Sequence, residues 1–146
     1  CSGCSTNISG NDTLTYNVGN GQILCITNSG NFLGKITISG GTVCVSGNFN
    51  PQSITIGSGV INNNGNATLN SSITFGSSFV LNNNSGAILN ISGDLTLTSS
   101  TIINDGIINV VNDIANSGVI TNSNIINCVQ ITGSGSLNNT GIINSN

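Results

Sequence analysis

Apolar residues in this chain come in bursts of two or three, separated by Asn, Ser, Thr and Gly, and the bursts recur in a fixed order. The first kind is an apolar pair followed by a polar residue: Val60-Ile61-Asn62, Val80-Leu81-Asn82, Ile102-Ile103-Asn104 and Val119-Ile120-Thr121, with Leu137-Asn138 as a shorter form. The second sets an apolar residue before Asn, at Leu69-Asn70, Leu89-Asn90, Ile108-Asn109, Ile126-Asn127 and Ile143-Asn144. The third alternates, at Ile36-Thr37-Ile38, Ile54-Thr55-Ile56, Ile73-Thr74-Phe75 and Leu95-Thr96-Leu97, with Val129-Gln130-Ile131 as a late variant. The asparagines of the second kind return after 20, 19, 18 and 17 residues. A repeating unit with three short strands cannot bury its apolar side alone and must stack on copies of itself.

The predicted fold is therefore all-β: a single-stranded parallel β-helix (β-solenoid) with three short strands per coil of about 17–22 residues and about six to seven coils. Residues 1–21 read as an N-terminal arm or cap, and residues 22–146 as the solenoid. Nineteen or so residues at ~3.3 Å each trace a perimeter of roughly 60 Å, a triangle about 20 Å on a side.

Within Ile-Thr-Ile the period of two turns both Ile inward and the Thr outward. Thr37, Thr55, Thr74 and Thr96 are thus expected to form one exposed column. Asn after the last apolar residue suits a corner, where left-handed backbone is tolerated. Stacked on its counterpart, such an Asn donates to and accepts from the next coil. Asn70, Asn90, Asn109, Asn127 and Asn144 are the predicted structural ladder.

Composition fits identical stacking. The chain has one Lys (Lys35), four Asp (Asp12, Asp94, Asp105, Asp113) and no Arg, Glu or His. A charge repeated in every coil would stand ~5 Å from its like, which is destabilising, whereas Asn, Thr and Ser stack without that penalty. A hydrophobic fraction of 36% argues against disorder, and the scarcity of good helix formers argues against helix. No apolar run reaches the ~18 residues of a transmembrane segment, and one Lys gives nucleic acid nothing to bind. Neither a triad nor a His-centred base can be built, so the chain reads as non-catalytic with no cofactor. Asp94 and Asp113, 19 residues apart, stand near corresponding positions and are the one carboxylate pair that could serve a polysaccharide-cleaving reading. The Thr column similarly supports an alternative reading as an ice-binding face, although Lys35 and Asp94 flank it and Ala115 interrupts it.

Five cysteines point to an oxidising, extracellular or cell-surface setting, and a start at Cys1 without any Met to an excised mature chain. Cys25 and Cys44 lie one coil apart; with Cys1 and Cys4 they are the candidate disulfide set, clipping the arm onto the first coils. Cys128 is left as a buried thiol. Sequons such as those at Asn66, Asn70 and Asn90 follow from the abundance of Asn. The repeat is still in register at Thr140-Gly141-Ile142-Ile143-Asn144, so the C-terminal end is expected to be uncapped and to self-associate or continue.

Cys-Ser-Gly-Cys at residues 1–4, Gly-Gln-Ile-Leu-Cys-Ile at 21–26 and the repeated Ile-Asn-Asn-x-Gly and Ser-Ile-Thr-Phe strands resemble the N-terminal solenoid modules of large Bacteroidota-type surface proteins. Those are adhesin-like proteins exported by the type 9 secretion route. The resemblance implies a structural role at the cell surface, as an adhesin, stalk or filament subunit, with a surface glycan or host substratum as partner.

Overall fold

A strand of three or four residues buries too little to stand alone, so each strand here takes its hydrogen bonds from the coils on either side. The computed structural model describes residues 2–145, all of it strands and the turns between them. Three strands make one coil, and parallel pairing between coils builds three faces.

Face one stacks Thr6–Ile8, Ile23–Ile26, Thr42–Val45, Gly59–Asn63, Phe79–Asn83, Thr101–Asn104, Val119–Asn122 and Ser136–Asn139. Face two stacks Asn11–Asp12, Asn31–Phe32, Asn48–Phe49, Asn66–Leu69, Ile88–Ile91, Ile107–Val110, Ile125–Cys128 and Ile142–Ser145. Face three is in two pieces: Thr15–Gly19, Lys35–Ser39 and Ser53–Ile56, then Ile73–Phe75, Leu95–Leu97, Ile114–Asn116 and Ile131–Thr132. The described residues thus form seven complete coils, with two strands of an eighth. The predicted parallel β-solenoid is the fold found.

The core is a set of columns running along the axis. On face one, Leu24, Val43, Ile61, Leu81, Ile102, Ile120 and Leu137 stand in register. On face two, Phe32 stacks on Phe49 with centroids 5.7 Å apart, and Phe49 sits over the small Ala67. Phe75 and Phe79 meet at 4.8 Å and fill the middle of the stack. All four Phe are buried, at 0–1% exposure, so they act as core fillers.

Two expectations about organisation change. Within the expected N-terminal arm or cap, Thr6–Ile8, Asn11–Asp12 and Thr15–Gly19 pair with the next coil and constitute a coil of their own, so the stacking already begins there and not at residue 22. Leu24 and Ile26 stand under Thr6 and Ile8, yet Thr-Asn-Ile lacks the apolar pair that marks later coils. The late variant of the third motif also shifts: Ile131-Thr132 takes the place of Ile114-Ala115, and Val129-Gln130 lies in the corner before it.

The interruption of face three falls between Ser53–Ile56 and Ile73–Phe75, which share no backbone pairing. Pro51, with no N–H to give, precedes the first of these strands, and Asn70-Ser71-Ser72 forms the corner before the second. The coils meet again just beyond, where a Cβ on Gly76 would lie 2.2 Å from the carbonyl oxygen of Gly57. Close backbone approach at this corner requires glycine.

Candidate functional site: asparagine columns, the acidic corner and the clipped end

Face one holds a second inward column that changes chemistry partway. It runs Ile8, Ile26, Val45, and then Asn63, Asn83, Asn104, Asn122 and Asn139. Asn63, Asn83, Asn104 and Asn122 are fully buried. Each donates from Nδ2 to the Oδ1 of the next, at 2.8, 2.7, 2.7 and 2.7 Å in order. Each also donates to a backbone carbonyl of the next coil: Ile88, Ile107, Ile125 and Ile142 respectively. The Asn63 Oδ1, with no amide before it, accepts the Gly65 N–H at 3.2 Å. These backbone partners fix which side-chain atom is nitrogen, so the ladder has one polarity, with every amide aimed toward the C-terminal end. A buried amide is tolerated because both its hydrogens and its oxygen are paired.

The predicted ladder is a different, outward row on face two, and it is shorter than expected. Asn109 donates to Asn90 at 2.8 Å, Asn127 to Asn109 at 2.7 Å and Asn144 to Asn127 at 2.7 Å. Asn70 is not a member. Its place opposite Asn90 is taken by Thr68, and Asn70 instead donates to Asn50 at 2.6 Å. The cause is an insertion at the preceding corner. Asn63 pairs with Asn83, 20 residues on, but Asn66 pairs with Ile88, 22 residues on. The two extra residues fall in the Asn84–Ala87 turn, where Gly86 takes φ +80° and the Ala87 N–H returns to the Asn84 carbonyl. This row lies within strands and not at corners.

The first motif also slips by one. Ile102 stands under Leu81 and Asn104 under Asn83, so Ile102-Ile103-Asn104 corresponds to Leu81-Asn82-Asn83. Asn62 and Asn82 point outward and bond to each other at 2.7 Å. In an Asn-Asn pair the period of two decides which one is buried, and the apolar pair alone does not mark it.

Of the predicted Thr column, Thr37 pairs with Thr55 and Thr74 with Thr96. No backbone pairing joins Thr55 to Thr74 across the break, and the later positions are Ala115 and Thr132. The structure therefore brings together two separate pairs and not one continuous row.

Asp94 and Asp113 do share a corner, in the column Ser72, Asp94, Asp113, Gln130. The Asp94 N–H donates to Ser72 Oγ at 2.9 Å, and Gln130 Nε2 donates to Asp113 Oδ2 at 2.8 Å. The Asp113 N–H approaches Asp94 Oδ1 at 3.4 Å. Each carboxylate thus has donors from neighbouring coils, the pattern of a turn column. Asp12, in the first coil, accepts the Tyr16 hydroxyl and the Leu14 N–H, both at 2.8 Å. That hydrogen bond, then burial and the Asp12 charge, push the Tyr16 phenol above its ordinary pKa.

Cys4 is bonded to Cys25. Cys44, directly beneath Cys25 on face one, is disulfide-bonded as well. Both face-one cysteines sit between inward Leu24 and Ile26, or Val43 and Val45, and so point outward, where a cross-link can reach them. The expectation for Cys1 itself falls outside the described residues. Cys128 is a free, buried thiol whose pKa is pushed up by burial and secondarily by the Asp113 charge.

Comparison with protein families, with curated proteins and with solved structures finds nothing that matches this chain.

Proposed function

We propose that this chain is a structural, non-catalytic module of the cell surface or extracellular matrix: a stiff, nearly uncharged spacer that holds its faces away from an attachment point. The observation that carries this reading is the pair of eight-stranded parallel sheets running through every coil. Eight strands ~4.8 Å apart give a rod roughly 34 Å long from very little sequence information, with the same few residue types repeated along it. The Cys4–Cys25 bond supports an oxidising compartment. An adhesive role on a glycan or other substratum, and membership among secreted Bacteroidota-type surface modules, belong to the same proposal and rest on the motif resemblance.

The reading is tested on producing cells and on purified protein. Antibody should label intact cells, added protease should remove the label, and extracted protein should carry Cys4–Cys25 oxidised. A reduced pool confined to the cytosol would overturn it. Small-angle scattering on the purified chain should give an elongated particle whose length matches the stacked coils.

A further inference from the structure

The polarity of the buried ladder determines what its C-terminal edge can accept. Within the ladder, Asn63, Asn83 and Asn104 place both amide hydrogens on the following coil, one on an Asn Oδ1 and one on a backbone carbonyl, and Asn122 does the same while also approaching the Asn124 carbonyl of its own coil at 3.1 Å. Asn139 occupies the same column and accepts from Asn122 at 2.7 Å. Among the described residues its own amide donates only to the Gly141 carbonyl, within its own coil, at 3.1 Å. Covering this edge with an apolar column would strand a buried N–H, whereas covering it with an amide would extend the ladder by one rung. The outward row makes the complementary demand. Asn144 donates back to Asn127 and presents its Oδ1 forward, calling for a donor. The inward and outward asparagines stand five residues apart in three successive coils: Asn104 and Asn109, Asn122 and Asn127, Asn139 and Asn144.

A second copy of this chain does not offer that surface. At the N-terminal edge the same column is Ile8, followed by Ile26 and Val45, with no amide until Asn63. Head-to-tail stacking would set the Asn139 amide against the side chain of Ile8. We infer that the C-terminal edge is a docking surface for a parallel β-coil carrying Asn at two positions five residues apart, and that it discriminates against the N-terminal edge of another copy. This interface continues the one between the coils already present. It rests on the stacking chemistry and not on where the protein resides.

The test extends the full chain by one coil, a copy of residues 112–128 placed after Asn146, so that the copied Asn122 falls in the Asn139 column. Three versions are compared: the unchanged copy, the copy carrying Asn122→Val, and the copy carrying Thr121→Val, an outward neighbour with the same gain in apolar surface. Amide exchange by mass spectrometry should show protection of Ser136–Ser145 rising with the unchanged copy and with Thr121→Val. It should stay near the parent level with Asn122→Val, whose melting temperature should fall at least roughly 3 °C below the other two. Equal protection by all three copies, or protection by none, would overturn the inference. Micrographs of the unextended chain at high concentration should lack long head-to-tail filaments, and their presence would overturn it equally.

Discussion

The two asparagine rows share their Asn-to-Asn side-chain hydrogen bonds but differ in surroundings and in the added backbone donation of the buried row, so a substitution in each tests what burial contributes. Asn104→Ala removes an acceptor for Asn83 at 2.7 Å and two donations, to Asn122 Oδ1 at 2.7 Å and to the Ile125 carbonyl at 2.9 Å. The site has no solvent exposure, so the stranded Asn83 N–H and Asn122 oxygen find no water. With about 1 kcal/mol net per lost bond, plus the cost of desolvated, unpaired groups, the loss comes to about 3–5 kcal/mol. Asn109→Ala removes two contacts of similar length, to Asn90 and from Asn127, on a half-buried outward position. Water replaces them there, and the loss should be about 0.5–1 kcal/mol. Urea unfolding with the disulfides oxidised measures both differences, as a change in midpoint at constant slope. The lone Tyr, Tyr16, reports the first coil by fluorescence while far-ultraviolet circular dichroism reports the stack. Coincident transitions justify the two-state treatment that repeat structures can violate. Equal losses for the two variants would refute the claim that the buried row is held by the absence of water around it.

Other outcomes follow from the same geometry. Gly106→Ala should cost about 1–3 kcal/mol, because its Cβ would lie 2.4 Å from the Ala87 carbonyl oxygen. Gly10→Ala, with open space around it, should change the urea midpoint little. Ser100, buried with an unpaired hydroxyl, should be replaceable by Ala with unchanged or higher melting temperature. Cys128 should resist a disulfide reagent in the folded chain at neutral pH and react once urea unfolds it, since burial raises its thiol pKa. Tyr16, with a folded pKa raised above the unfolded value, contributes stability that is complete below about pH 10 and is lost as pH climbs through the folded pKa. Titration of its absorbance should therefore give a midpoint above that of the unfolded chain, and Tyr16→Phe should remove this alkaline loss of stability.

The fold was legible because period-two bursts and a near-constant spacing repeat many times, and repetition averages out local ambiguity. The registers of Ile36-Thr37-Ile38 with Ile54-Thr55-Ile56, and of Asn90 with Asn109, Asn127 and Asn144, were visible for that reason. Errors arose where corners change length. The insertion at Asn84–Ala87 moved Asn90 away from Asn70, and nothing in Leu69-Asn70 signals it. The buried ladder was missed because Asn62-Asn63 and Asn82-Asn83 each offer two candidates, and polar residues are not sought in a core. A usable signal existed. Asn63 and Asn83 lie two residues after buried Ile61 and Leu81, on the inward phase of their strands. The first coil was hidden by its composition: Thr-Asn-Ile and Asn-Asp carry one apolar residue between them.

The gap in face three has a mechanical consequence. Between Ser53–Ile56 and Ile73–Phe75 the strand pairing that can carry a load along the axis belongs to faces one and two alone. A pull at both ends should therefore be off-centre at that level, with a torque that tends to open the rod on the side of face three before the inter-coil hydrogen bonds of either continuous sheet are pulled apart. The shaft should therefore bend most easily away from face three, toward the two faces that are whole. The weakened level is confined to one height, because the coils come back together just beyond it at the close approach of Gly57 and Gly76.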